Sequence, residues 1–230
     1  MRRAFRSAFL WTRGWTVFLF GAPAVVLFSY VLSRQALQRL VRRWCRLTLG
    51  ALGIRVIVCG EFPPASAGPM VVIAPHVNLF DPLVLGSILP RPMAGIELET
   101  HFRWPVYGAI IRRLRHVAIS HASPHRSCAA LLEAIRRLRR GESLVIFPEG
   151  HRTRTGRRGP FGLWAFRLAA RAGAPIVPTA FSGAWERHHL GSWHIVPGLW
   201  RVLVLPPIWP ARPDRTGALA LRAAAESVVK

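Results

Sequence analysis

Apolar and polar positions alternate in two rhythms along this chain, and the change falls near residue 53. From Gly14 to Ser33 no residue is charged, and twenty residues of helix span about 30 Å, enough to cross a hydrocarbon core. Arginines lie on both sides, so the positive-inside rule gives no orientation. Pro23 also permits a kinked segment that enters one leaflet without crossing. A second helix follows. At 100° per residue, Leu37, Leu40, Val41, Trp44, Leu47, Thr48 and Leu52 share one arc, with Arg39, Arg42, Arg43 and Arg46 opposite. Such a helix suits a bilayer surface with its guanidiniums at lipid phosphates, or packing on its own domain with a solvated arginine face. Residues 1–52 are therefore expected to form a membrane-associated helical segment, ahead of a domain at 53–230.

Beyond Gly53 short β-rich runs take over: "IRVIVCG", "PMVVIAP", "RHVAIS", "ESLVIFP", "APIVPTAF" and "WRVLVLP". Helical patterns separate them. Ser127 to Arg140 places Leu131, Ile135 and Leu138 on one face and stops at Gly141. Phe161 to Arg171 is closed by Gly173 and Pro175. Alternating strands and helices predict an α/β fold with a mostly parallel central sheet flanked by helices.

Charge narrows the partners. The chain carries 32 basic and 10 acidic residues, a net charge of +22, and its only lysine is Lys230. Replacement of lysine by arginine across a genome accounts for the choice of cation, but not for the excess. The excess predicts an anionic partner. A mean hydropathy of +0.27, nine tryptophans and the absence of a nucleic-acid-binding motif argue for a phospholipid surface or a phosphorylated substrate over nucleic acid. Cys45, Cys59 and Cys128 lack metal-ligand spacing and are expected to be reduced.

Candidate chemistry sits just past two strands. In "VVIAPHVNLFD", His76 and Asp81 lie five residues apart, about 140° out of phase on a helix. They meet only if the chain turns before a helix begins. Asp81 would then fix one imidazole nitrogen and leave the other as a base. Alternatively, Asp81 before Pro82 is a helix N-cap and His76 an ordinary hydrogen-bonded core histidine. In "SLVIFPEGHRTRTG", Glu149, Gly150 and Arg152 begin a turn rich in arginine, whose fork suits phosphate. Arg157 and Arg158 are expected to be solvated.

Together these segments resemble the glycerolipid acyltransferase family that includes the 1-acylglycerol-3-phosphate acyltransferases. His76 and Asp81 match its His-x4-Asp block. Phe147, Pro148, Glu149, Gly150 and Arg152 match its Phe-Pro-Glu-Gly-Thr-Arg-Ser block, with His151 and Thr153 replacing the usual Thr and Ser. Pro178 matches its proline among β-branched residues. The resemblance covers roughly residues 35 to 210. It implies His76 as general base oriented by Asp81, and Glu149, Gly150, Arg152, His121 and Pro178 at the substrate. It also implies an acyl-CoA or acyl carrier protein thioester as co-substrate, and no metal or cofactor. The expected partners are membrane lipids and a lysophospholipid acceptor, first 1-acylglycerol-3-phosphate giving phosphatidate, at the cytoplasmic face of a membrane.

The second block departs from the family. Gly95 and Ile96 precede Glu97 and Leu98 where a basic residue is usual, and His121 stands where arginine is expected. His121, Arg112, Arg113 and Arg115 are the cations available to replace them. Two rival readings remain: acylation of another lysolipid such as a lyso-aminolipid, and a non-catalytic basic membrane-binding protein.

Overall fold

A computed structural model describes residues 2–120 and 122–229. Seven strands form one sheet in the order β1-β7-β6-β2-β5-β3-β4: β1 (Ile54–Cys59), β2 (Val71–Ile73), β3 (Met93–Leu98), β4 (Val117–Ile119), β5 (Ser143–Ile146), β6 (Ile176–Ser182) and β7 (Gly198–Val204). Neighbours run parallel except β6 and β7. The six strands read from sequence are all present. β3 is the addition, because Gly95 and Glu97 break the β-branched pattern that marks a strand.

The central strands are buried on both faces, which explains their continuous apolar runs. Side chains alternate across the sheet. Val71 and Ile73 pack with one core shared by α5 (Pro124–Arg139), α6 (Trp164–Ala172) and α8 (Arg215–Val228). Val72 and Ala74 point the other way, onto Leu85 of α3 (Asp81–Ile88) and Leu89 beyond its end. The helix expected from Phe161 starts at Trp164, since Pro160 and Gly162 delay it. Helix α8 has few large apolar residues and carries its pattern on alanine.

The N-terminal pair is a hairpin of α1 (Arg2–Phe28) and α2 (Arg34–Ala51). Among the described residues, helix α1 is the one helix long and apolar enough to cross a membrane. Yet one side of it is packed along its length, with Ser7, Leu10, Gly14, Ala22 and Val25 buried. Leu10, Leu49 and Leu52 share a core with Ile54, Phe80 and Trp200, so both helices join the core beneath the sheet. The opposite side of the hairpin is apolar and open: Phe5 is 78 % exposed and Phe20 80 %.

Helix α2 corrects one expectation. Leu47 is exposed, and two arginines placed at lipid phosphates bond carbonyls of their own domain, Arg42 half-buried and Arg46 still exposed. Arg46 Nε donates to Ser87 O (3.0 Å), and Arg42 donates to Leu89 O. Cations at the C-terminus of α3 satisfy its last carbonyls and oppose the negative end of its dipole. Arg39 and Arg43 stay exposed.

Candidate active site

Strands β2 and β5 are adjacent and parallel, so the loops leaving their C-terminal ends meet. That adjacency brings together motifs 73 residues apart in the chain. Ligand sites of open α/β sheets gather at this edge.

After β2 the chain turns before α3 starts, and the first residue of α3 is Asp81 itself. Its carboxylate does not cap the helix ahead. It reaches back. Asp81 Oδ2 lies 2.6 Å from His76 Nδ1 and accepts the backbone N–H groups of Val77 (2.6 Å) and Asn78 (2.9 Å). Three donors on one oxygen make the turn a nest around a carboxylate. Asp81 is fully buried, and its other oxygen has no partner among the described residues. Burial pushes the Asp81 carboxyl above its ordinary range, against the His76 and backbone hydrogen bonds that favour the ion. The His76 side chain stays 21 % exposed, so the ring is held at Nδ1 while its far edge stays open. Phe147 stacks on the ring, centroids 4.2 Å apart and planes at 15°.

Phe147 to Gly150 is a β-turn after β5, closed by Gly150 N–H to Phe147 O (3.1 Å) with Pro148 at its second position. Gly150 has φ of 75°, a region that glycine enters without a Cβ penalty. Glu149 is expected to meet substrate, yet the structure gives its carboxylate two backbone partners. Oε1 accepts His76 N–H (2.9 Å) and Oε2 accepts Gly159 N–H (2.7 Å). Thr153 N–H returns to His76 O (2.9 Å). The two motifs are thus stitched together through their backbones, and Glu149 holds the arginine loop against the histidine.

Arg152 is partly exposed and has no ion-pair or hydrogen-bond partner among the described residues. Its charge is felt at His188, whose pKa is lowered by burial first, then by His189 and Arg152. Arg154 and Arg157 are exposed, the latter as expected. Arg158 is not simply solvated: its guanidinium lies 4.5 Å from the centroid of the Phe161 ring.

Pro178 is buried in β6 and pairs with Ile73, so it backs the strand that leads to His76. It faces a bulge in the chain beyond β7, because Thr179 pairs with Val204 while Ile176 pairs with Ile208. A residue without an N–H loses little there. His121 lies outside the described residues. The other replacement cations are engaged elsewhere. Arg112 donates to Phe102 O, Arg113 lies 3.5 Å from the centroid of the Tyr30 ring, and Arg115 pairs with Glu142 at 3.7 Å. Glu97 accepts from Tyr107 OH (2.7 Å) and lies 2.8 Å from His101 Nδ1.

One residue central to the turn escaped the sequence reading. Asn78 is fully buried, and its side chain donates to Ala184 O and His188 O (2.9 Å each) and accepts Phe80 N–H (2.7 Å). An amide in the apolar run "VNLF" was the available signal. Among the described residues no group of three or more His, Cys, Asp or Glu could hold a metal ion.

A buried carboxylate thus lies behind a partly open imidazole, at the C-terminal edge of the mostly parallel sheet of an α/β protein. Sequence comparison gives the family: the chain belongs to the Acyltransferase family, whose model matches residues 55–182. Relatives include a chloroplastic 1-acyl-sn-glycerol-3-phosphate acyltransferase of Brassica napus, 29 % identical over 195 residues, covering 84 % of this chain and 56 % of that protein. The 1-acyl-sn-glycerol-3-phosphate acyltransferase of Pseudomonas aeruginosa is 29 % identical over 209 residues, covering 87 % and 75 %. This chain spans about half the length of several such relatives. The crystal structure of the 1-acyl-sn-glycerophosphate (LPA) acyltransferase PlsC from Thermotoga maritima shares the fold. Its TM-score is 0.82 at 24 % identity, covering 100 % of this chain and 93 % of that one.

Proposed function

We propose that this protein is an O-acyltransferase that moves a fatty acyl group from a thioester to the free hydroxyl of a lysophospholipid. The acceptor proposed is 1-acylglycerol-3-phosphate, giving phosphatidate. The observation that carries the reading is the His76–Asp81 pair: Nδ1 held at 2.6 Å by a buried carboxylate leaves Nε2 to act as base. The attacking hydroxyl gives its proton to Nε2 as its oxygen bonds the acyl carbon. When the tetrahedral intermediate collapses, the C–S bond breaks and the imidazolium returns the proton to the thiolate. Asp81 stabilises the imidazolium between the two steps. No covalent acyl-enzyme enters this scheme, and it calls on no cofactor or metal.

Arg152 is assigned to the acceptor phosphate because it stands beside the His76 loop without a carboxylate partner. The relatives named as 1-acyl-sn-glycerol-3-phosphate acyltransferases support this choice of acceptor. The open apolar side of the α1–α2 hairpin, backed by a packed side, supports an in-plane attachment to a membrane, and the side proposed is the cytoplasmic face.

The test is turnover with an acyl-CoA and an acyl carrier protein thioester, each against lysophosphatidate and a phosphate-free lysolipid, for the parent and for Arg152→Ala. Lysophosphatidate should be acylated, with kcat/KM at least about tenfold lower in the variant, the loss expected for one charged hydrogen bond. Acylation of the phosphate-free lysolipid alone would replace the proposed acceptor. Absence of any thioester-dependent turnover would leave the non-catalytic reading.

A further inference from the structure

A second cluster of cations lies outside the site built from the two motifs. A cavity of about 330 Å³ is lined by Arg3, Arg6 and Ser7 of α1 and by His189, His194 and Ile195 of the loop between α7 (Ala184–Arg187) and β7. Its frame is fixed. Ser7 and Ile195 are each 1 % exposed, and Ser7 Oγ accepts Ile195 N–H (3.2 Å) and lies 3.4 Å from His194 Nδ1. Trp11, one turn further along α1, donates to Trp193 O (2.6 Å). The loop is closed at its base by Val196 N–H to Arg187 O (2.9 Å) and by Arg187 to Pro197 O (2.8 Å).

The donors in this frame lack acceptors. Arg3 and Arg6 make no ion pair or hydrogen bond among the described residues. His189 Nδ1 lies 3.2 Å from Leu190 O and His194 Nδ1 lies 3.4 Å from Ser7 Oγ, and neither Nε2 has a hydrogen-bond partner among the described residues. Among the described residues no carboxylate lines the cavity. The first turn of α1 carries no acidic residue either, so its backbone dipole adds to the positive field. Two guanidiniums without a counter-ion repel one another, and a bound anion relieves that repulsion. His189 also follows His188, which feels the charge of Arg152.

We infer that this cavity is a second anion site, built for a terminal phosphate monoester. Such a group offers three oxygens and nearly two negative charges to converging donors. Two sources carry one: the headgroup of a phosphatidate-type lipid, and the 3′-phosphate of a coenzyme A donor.

Equilibrium binding to the full-length protein separates them without requiring turnover, so the outcome is independent of the acyl-transfer reading. One arm compares coenzyme A with 3′-dephospho-coenzyme A. The other compares phosphatidylcholine vesicles containing phosphatidate with vesicles matched in surface charge by phosphatidylglycerol. Each is run on the parent, on Arg3→Gln/Arg6→Gln, and on Arg2→Gln/Arg13→Gln, which removes equal charge from the same helix outside the cavity. The parent should prefer the monoester on at least one arm by about tenfold or more, the preference should vanish in Arg3→Gln/Arg6→Gln, and the control pair should retain it. The arm that responds identifies the source. No preference in the parent, a preference that survives Arg3→Gln/Arg6→Gln, or equal loss in the control pair overturns the site.

Discussion

Glu149 accepts the backbone N–H of His76 at 2.9 Å, so the two motifs of the site are joined by a carboxylate and a main-chain amide. The other oxygen of Glu149 holds Gly159 N–H, at the far side of the arginine loop. A side chain that the motif offers as a substrate ligand is in this fold a tie between loops.

Replacing Glu149 by Gln therefore tests position against contact. Gln keeps one acceptor oxygen but turns an N–H₂ toward the second backbone donor. Thermal stability should fall by about 1–3 kcal/mol, the cost of an unsatisfied buried polar group. Turnover should fall with it, while KM for the acceptor changes little. A large rise in acceptor KM at unchanged melting temperature would restore Glu149 as a substrate ligand.

For the base, His76→Ala should lower kcat by roughly 10²–10⁴-fold with the fold intact by circular dichroism. Asp81→Asn should be severe as well. A neutral amide cannot balance the imidazolium and can present its N–H₂ to Nδ1, which favours the wrong tautomer. Near-normal turnover in purified His76→Ala protein would remove the general-base assignment.

Asn78 should matter as a positioning residue. Asn78→Ala strips Ala184 O and His188 O of their shared donor and Phe80 N–H of its acceptor, which should cost on the order of 2 kcal/mol. Asn78→Asp keeps the shape but faces two carbonyls with a carboxylate, so it should be worse than Ala in both melting temperature and kcat. If Asn78→Asp were as stable and active as the parent, Asn78 would not be what joins the His76 turn to the 184–188 segment.

His116 gives the fold an acid sensitivity. Its Nδ1 is buried without a partner among the described residues, and burial lowers its pKa to about 4; Glu97 opposes the shift and Arg137 adds to it. A folded pKa below the unfolded value of about 6.5 means that the unfolded chain binds more protons between those limits. Stability from this group is therefore complete above about pH 6.5 and is lost as pH falls toward 4, by at most about 1.4 kcal/mol per pH unit. Urea midpoints measured between pH 7 and 4 should fall along this slope, and His116→Phe should flatten it. An unchanged slope in His116→Phe would assign the acid sensitivity to other groups.

The sequence by itself determined the α/β class, six of seven strands and the residues of the two motifs. These follow from local physics: β-branched runs buried on both faces, helix stops at glycine, and a polar pair planted in an apolar stretch. It also held His76 and Asp81 as candidates, but could not decide between a helix cap and a base–orienter pair, because that choice depends on the turn ahead of α3. Tertiary structure set the pair 2.6 Å apart in the turn ahead of α3 and set β5 beside β2. Only then does Glu149 reach His76, Phe147 stack on the imidazole and Arg152 lie unpaired beside them. The roles of Arg42, Arg46 and Asn78 were equally out of reach, since each is defined by a carbonyl tens of residues away. Periodicity records which face of a segment is buried; it does not record what that face is buried against.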